Sequence, residues 1–130
     1  MATETVRPWH QPRFIVPGDS IRVALTAGAV ASEQVRAGVS LLEARGYSVF
    51  FDPGLCDRPG YLSGTDAERG HELLGASDAG TYGAVLAARG GYGTMRLMPE
   101  PVGRFADQYG GWLVGYSDLT ALHLEMARRG

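Results

Sequence analysis

The chain has 130 residues, enough for one domain with a buried core, and its 45% hydrophobic and 20% charged residues are ordinary for a globular protein. The formal net charge is −2, and the 12 basic residues are all arginines, spread along the chain without a basic run. This distribution argues against a nucleic-acid-binding surface, and no apolar stretch approaches the roughly 18 residues of a membrane span. The first residues lack a charged-then-apolar signal pattern, so we expect a cytoplasmic protein.

Glycine is unusually frequent, with 19 residues, about twice the usual share, placed between periodic segments. We expect residues 1–20 to be a loosely ordered tail and residues 21–130 to form one domain. Short β-rich runs predict strands over residues 21–25, 47–51, 84–88 and 112–115. Apolar residues at helical spacing predict a helix over residues 32–45, and further helices are expected over 65–76 and 118–129. A short helical segment is expected between Met95 and Gln108.

Capping signals support two of these helices. Ser32 is the predicted N-cap of the first helix and Gly46 its stop, while Thr65 and Glu68 have the capping-box spacing of the second. Strands that alternate with helices are typical of an α/β domain, here an open, largely parallel sheet with flanking helices. Functional groups of such sheets gather beyond the carboxyl ends of the strands, where this chain carries "ARGGYG" (88–93) and "GYSD" (115–118).

Ser117 lies at the corner between the fourth strand and the last helix, and two interpretations of it are open. A serine on a tight strand-to-helix turn exposes its hydroxyl beside the unpaired N–H groups of a helix N-terminus, which favours attack on a carbonyl. Gly115 would give the backbone room to turn, although Leu119 replaces the last glycine of G-x-S-x-G. Alternatively, Ser117 caps the last helix and Asp118 is a favourable acid of its first turn.

The glycines of "ARGGYG" also have more than one interpretation. They could cradle a phosphate, but Arg96 stands where G-x-G-x-x-G needs its third glycine, and no P-loop spacing is present. They could be plain turn residues, or they could let a backbone N–H approach Ser117 as an oxyanion donor. The phosphate-binding interpretation would make the chain a nucleotide-binding domain, and it rests on the glycines alone.

A serine nucleophile needs a base, usually a histidine held by a carboxylate. His123 shares the apolar stripe of the last helix and is expected to face the core, and no motif positions His71 or His10. The single cysteine, Cys56, is expected to be a free thiol in a loop. The residues by themselves therefore offer a nucleophile without a partner.

Four segments resemble the N-terminal half of the LD-carboxypeptidases, a family of serine peptidases that includes muramoyl-tetrapeptide carboxypeptidases and microcin C self-immunity peptidases. The resemblance runs from about Ile21 to the end of the chain, and the glycine and serine segments are its most specific parts. The segments are "LLEARGYSVFFDP", "RPGYLSGTDAERGHELLGA", "ARGGYGTMRLMP" and "GYSDLTALHLEM".

The resemblance implies a cytoplasmic enzyme that cuts an L-to-D peptide bond and releases the terminal D-alanine of murein tetrapeptides, without a metal or organic cofactor. It implies that Ser117 is the nucleophile and that the backbone N–H groups of Gly91 and Asp118 form the oxyanion hole. The expected partners are a peptide substrate and either the C-terminal domain of the same enzyme or a second copy.

The chain departs from the family in two respects. The loop after the first strand reads "LTAGAVAS" where many relatives have a sequence like Ala-Pro-Ser-Ser-Pro, and family members are roughly twice as long. Their C-terminal domain carries the Glu and His of the triad, so neither partner is assigned to a residue here and the isolated chain is expected to be inactive or nearly so. The alternative is a stand-alone module that binds a peptide or a partner without catalysis.

Overall fold

A computed structural model describes residues 8–78 and 80–130. Four strands, β1 (Ser20–Ala24), β2 (Ser48–Phe50), β3 (Ala84–Ala87) and β4 (Trp112–Val114), form one parallel sheet in the order β2-β1-β3-β4. The helices are α1 (Ser32–Glu43), α2 (Asp66–Gly75), α3 (Glu100–Gln108) and α4 (Thr120–Arg129). The predicted open, parallel α/β fold is confirmed, and every predicted strand and helix is present with small shifts at its ends.

Alternation along the strands divides the core into two layers. Ala24 and Val85 face the layer built by α2, α3 and α4, where Phe105 and Leu122 are wholly buried. Val23 and Leu25 face the other layer, which contains α1. This period of two is that of a strand with both faces covered, and it explains why the strands read as continuous apolar runs.

The start of α1 corrects one prediction. Its N-cap is Ala31 rather than Ser32, and no side chain caps it in the usual way. Instead, the Ser32 N–H donates to Asp57 Oδ1 at 3.0 Å, so the acceptor for this N–H of the first turn is a carboxylate 25 residues further along the chain. A long-range partner of this kind leaves no signal in the local sequence.

The other helix signals behave as the sequence predicts. Thr65 and Glu68 form a complete capping box at the start of α2. After α1, Gly46 has a φ of +91° and leads the chain into β2. The segment 95–108 is divided into a 3₁₀ turn (Thr94–Leu97) and α3, with Pro99 between them.

The stretch before β1 lies partly outside the described residues, which begin at Pro8. Between Pro8 and β1, the chain contacts Trp112 of β4: Trp112 Nε1 donates to Arg13 O at 2.8 Å, and the Phe14 ring stacks on the Trp112 ring. Within the described residues, no helix is both long and apolar enough to cross a membrane.

Candidate functional site

Three loops meet at the carboxyl edge of the sheet, and backbone hydrogen bonds join two of them. The Gly28 N–H, after β1, donates to Gly90 O, after β3, at 3.1 Å. The buried Ser63 hydroxyl fixes the other side of this contact by donating to Gly28 O at 2.8 Å. A methyl group on Gly28 would lie 2.8 Å from Gly90 O, so only glycine permits this approach.

Ser117 follows β4 at the same edge, and its backbone is strained. Its φ is +60°, in the left-handed region that non-glycine residues rarely adopt. Tyr116 before it is extended, and a 3₁₀ turn (Ser117–Leu119) leads directly into α4. The interpretation of Ser117 as a helix cap is wrong, because no side-chain hydrogen bond caps either the 3₁₀ turn or α4. The side chain is exposed instead.

Gly115 leaves room for the turn, as the sequence predicts, without a positive φ of its own. The left-handed residue of the corner is Ser117, while a methyl group on Gly115 would lie 2.4 Å from Leu119 Cδ2 and 3.0 Å from Ala87 Cβ. The missing side chain therefore leaves space for Leu119, the last residue of the 3₁₀ turn, beside Ala87 of β3.

The loop after β3, residues 88–93, which we call the glycine turn, lies against Ser117. A methyl group on Gly90 would come within 3.1 Å of Ser117 Cβ and 3.3 Å of its Oγ. Gly91 is exposed and has a φ of +109°. Among the described residues, the N–H groups of Gly91 and Asp118 donate to no acceptor. Two N–H groups on the loops beside an exposed hydroxyl are the donors that a developing oxyanion requires.

Asp118 connects the serine turn, residues 115–118, to Thr94, directly after the glycine turn. Its Oδ2 accepts a hydrogen bond from the N–H of the wholly buried Thr94 at 3.0 Å. The acid is thus engaged by a residue from the neighbouring loop, in addition to its place in the first turn after Ser117. The two chemical segments predicted from the sequence are held together by this bond.

None of the described histidines is hydrogen-bonded to Ser117. His123 is half buried with Nε2 3.2 Å from Leu113 O, while His71 is exposed on α2. His10 lies near Gly110, at the amino end of β4 and so at the opposite edge of the sheet. In the part of the chain that the structure describes, no group of three or more His, Cys, Asp or Glu could hold a metal ion. Cys56 is a buried free thiol, and burial raises its pKa.

An apolar hollow of about 470 Å³ opens beside Ser117. Met95, Met98 and Leu124 line it, and these side chains are 62%, 41% and 66% exposed. Tyr116, next to the serine, is 84% exposed. The edge that carries the serine thus exposes large apolar side chains to solvent. Exposed apolar patches of this kind are typical of surfaces that bind a ligand or another protein.

Three residues of this edge escaped prediction. Gly90 lies against Ser117, although only Gly91 of the Gly-Gly pair was named from the sequence. Thr94 had no signal, since its N–H bonds to a residue 24 positions away. Arg69, in an otherwise ordinary helix, is wholly buried beneath the glycine turn, where its Nη1 donates to Gly93 O at 2.8 Å.

A parallel sheet whose strand turns into a helix at a strained, exposed serine is the arrangement of many serine hydrolases. The chain belongs to the LD-carboxypeptidase family: the model of the LD-carboxypeptidase N-terminal domain matches residues 21–130. The resemblance of the four sequence segments is thereby confirmed.

Several relatives have names that agree with this family. The murein tetrapeptide carboxypeptidase of Pseudomonas aeruginosa is 34% identical over 112 residues, covering 84% of this chain and 36% of that protein. A protein of Synechocystis sp. named as a carboxypeptidase is 33% identical over 121 residues, covering 92% of this chain and 40% of that protein. The chain spans 36% to 41% of the length of the curated relatives it matches.

Solved structures have the same fold. The muramoyltetrapeptide carboxypeptidase of Oxalobacter formigenes superposes with a TM-score of 0.74 at 27% identity, over 85% of this chain and 37% of that one. The microcin C7 self-immunity protein MccF superposes with a TM-score of 0.80 at 23% identity, over 95% of this chain and 38% of that one. At this lower identity the second likeness concerns the fold alone.

Proposed function

We propose that this chain is the nucleophile-bearing domain of a cytoplasmic serine carboxypeptidase that hydrolyses an L-to-D peptide bond and releases terminal D-alanine from murein tetrapeptides. The observation that carries the proposal is the strained, exposed Ser117, with the glycine turn packed against its hydroxyl. The family of the chain and the name of its P. aeruginosa relative supply the substrate class.

The proposed reaction begins with attack of Ser117 Oγ on the carbonyl carbon of the scissile bond, while a base takes the hydroxyl proton. The carbonyl oxygen becomes an oxyanion that accepts hydrogen bonds from the N–H groups of Gly91 and Asp118. The C–N bond then breaks, the base returns the proton to the leaving amine of D-alanine, and an ester remains on Ser117. Water, deprotonated by the same base, hydrolyses this ester and restores the hydroxyl.

The base is proposed to be a histidine outside this chain, held by a glutamate, in the part of the enzyme that corresponds to the rest of its relatives. Two features support an external contribution: the engagement of His123 with the Leu113 carbonyl and the exposed apolar side chains around Ser117. A covering domain, or a second copy, would bury this surface and complete the site. The isolated chain is accordingly proposed to be inactive or nearly so.

The first test is covalent labelling of the 130-residue chain with a fluorophosphonate, followed by intact-mass measurement, with Ser117→Ala as the control. Because the base is proposed to lie outside this chain, we expect little or no adduct on either protein. An adduct on the wild type alone would identify Ser117 as a nucleophile but would contradict the proposed inactivity, because its base would then lie within this chain or its oligomer. Equal labelling of both proteins would contradict the assignment, because the reactive group would then be elsewhere.

The activity test supplies the remainder of the enzyme. Residues 21–130 replace the matched domain of the P. aeruginosa murein tetrapeptide carboxypeptidase, and D-alanine released from a murein tetrapeptide is measured. We expect release by the chimera and a loss of at least about 10³-fold in its Ser117→Ala variant. Release that survives the substitution would contradict the mechanism, and a folded chimera without release would favour a non-catalytic binding module.

A second substrate class deserves the same assay. MccF, whose fold this chain shares, has been solved in complex with aspartyl sulfamoyl adenosine, and an aminoacyl-nucleotide of this kind is the competing candidate. Hydrolysis of such a compound by the chimera, in preference to the tetrapeptide, would transfer the proposal from murein recycling to antibiotic self-immunity.

A further inference from the structure

Arg69 is a buried charge that the proposed reaction does not use. Its side chain is 0% exposed and lies on the buried side of α2 with Gly70 and Leu73. Burial of a guanidinium is costly unless its donors are all satisfied. The position of Arg69 therefore calls for a physical reason beyond the folding of α2.

The guanidinium bonds to groups from three different segments. Its Nη1 donates to Thr26 O at 2.9 Å, in the loop after β1, and to Gly93 O at 2.8 Å, in the glycine turn after β3. Its Nε donates to Gly64 O at 3.3 Å, and Nη2 pairs with Asp66. Arg69 thus links the loop after β1 to the glycine turn after β3, at the carboxyl edge of the sheet where Ser117 lies.

Asp66 also pairs with a second, exposed arginine. Arg96, which follows the glycine turn, donates to its two carboxylate oxygens at 2.8 and 2.9 Å. Arg96 lowers the pKa of Asp66, with a smaller contribution from Arg69, so the acid remains charged in this network. The result is an Arg–Asp–Arg clamp around the turn, with one arginine buried and one exposed.

A short path leads from this clamp to the nucleophile. Gly93 has a φ of +144°, and a methyl group there would lie 2.8 Å from Arg69 Nη1. The peptide after Gly93 carries the Thr94 N–H, which donates to Asp118 Oδ2 at 3.0 Å. Asp118 directly follows Ser117 and contributes one of the proposed oxyanion donors. The orientation of the Gly93–Thr94 peptide is therefore fixed by Arg69 on one side and by Asp118 on the other.

We infer that Arg69 is a positioning residue for the reaction at Ser117: its guanidinium sets the glycine turn and, through Thr94 and Asp118, the serine turn. This inference rests on the proposed function of Ser117. Arginine suits the role because its planar fork presents five donors in fixed directions, whereas lysine offers one compact ammonium group. The geometry requires bonds to three carbonyls and a carboxylate at once.

The test compares Arg69→Lys and Arg69→Met with the matched pair Arg58→Lys and Arg58→Met in the 130-residue chain. Arg58 also pairs with an acid of α2, Glu68, but donates to Gly54 O and to neither loop of the clamp. Two quantities are measured: amide hydrogen exchange of Thr94 relative to Leu122 in α4 of the 130-residue chain, and the fluorophosphonate labelling of Ser117, as a function of reagent concentration, in the chimera that carries the same substitutions.

We expect both Arg69 variants to fold, with Thr94 exchange accelerated about tenfold relative to Leu122. The maximal labelling rate should fall by roughly tenfold or more, at an unchanged half-saturating concentration, because orientation rather than binding is lost. In an Arg69→Ala variant, added guanidinium should restore part of the Thr94 protection, whereas ethylammonium should not. The Arg58 variants should match the wild type.

Unchanged Thr94 exchange in folded Arg69 variants would overturn the inference, as would unchanged labelling in a protein whose wild type reacts at Ser117. Failure of both variants to fold would also overturn it, since Arg69 would then be needed by the core as a whole. If the wild-type chimera does not react, the proposed function of Ser117 fails separately, and the exchange data still decide the role of Arg69.

Discussion

Ser117 combines an exposed hydroxyl with a left-handed backbone, and the two features are related. A serine with the extended backbone angles of an N-cap would accept hydrogen bonds from the N–H groups of its own helix. With a φ of +60°, its side chain is directed to the glycine turn instead. The strain, of order 1–3 kcal/mol for such a residue, is maintained by the rest of the fold.

This strain predicts the effect of two substitutions. Ser117→Gly should be more stable than Ser117→Ala by about 1 kcal/mol, because glycine adopts positive φ without a steric cost while alanine does not. The free energy of unfolding in urea measures the difference. Equal stabilities would show that the corner relaxes when the hydroxyl is removed, and the strain would then not belong to the backbone.

At the scale of elements, the approach of α4 to the sheet depends on the glycine before the serine. Gly115 has Leu119 and Ala87 where a side chain would be, and Leu119 is itself buried in the core. The 3₁₀ turn that carries the serine and leads into α4 therefore packs against the ends of β3 and β4 because Gly115 has no side chain. This explains why the first residues of the turn reach the carboxyl edge.

Gly115→Ala should therefore lower the free energy of unfolding by about 1–3 kcal/mol through overpacking. Gly38→Ala is the matched control, because no atom lies within 4 Å of a methyl group at this exposed position of α1. It should raise stability by about 0.5–1 kcal/mol, from helix propensity alone. Chemical denaturation of both variants gives the comparison, and a neutral Gly115→Ala would contradict the packing account.

At the scale of the whole molecule, a second buried arginine joins the sheet to a helix layer. Arg22 of β1 donates to both carboxylate oxygens of Glu72 on α2, at 3.2 and 2.6 Å. The two side chains are only 18% and 4% exposed. Burial disfavours the charged guanidinium, but the bond to Glu72 outweighs it and the pKa of Arg22 is raised. The pair thus fixes α2 over the central strand.

Removal of one partner should be much worse than removal of both. Glu72→Leu or Arg22→Met alone should cost roughly 3 kcal/mol in the free energy of unfolding, because each leaves a mostly buried charge without its countercharge. The double variant Arg22→Met with Glu72→Leu should recover most of this loss. A double-mutant cycle in urea measures the coupling, and additive effects would contradict it.

The sequence alone determined the elements of this protein and where its chemistry lies along the chain. Apolar periodicity predicted all four strands and the helices between them, because burial on a regular backbone leaves a regular pattern. The capping box at Thr65 was readable because its two partners are three residues apart. The specific segments around Gly91 and Ser117 identified the family, which the match over residues 21–130 confirms.

Only the tertiary structure decided how those segments meet. The contact of Gly90 with Ser117, the bond from Thr94 to Asp118 and the burial of Arg69 all join residues that are distant in sequence. A local pattern carries no record of such pairs, since each partner alone resembles an ordinary turn or surface residue. The N-cap predicted at Ser32 was wrong for the same reason, because the acceptor of its N–H comes from Asp57. Folding brings these groups together because the parallel sheet places the carboxyl ends of its strands at one edge.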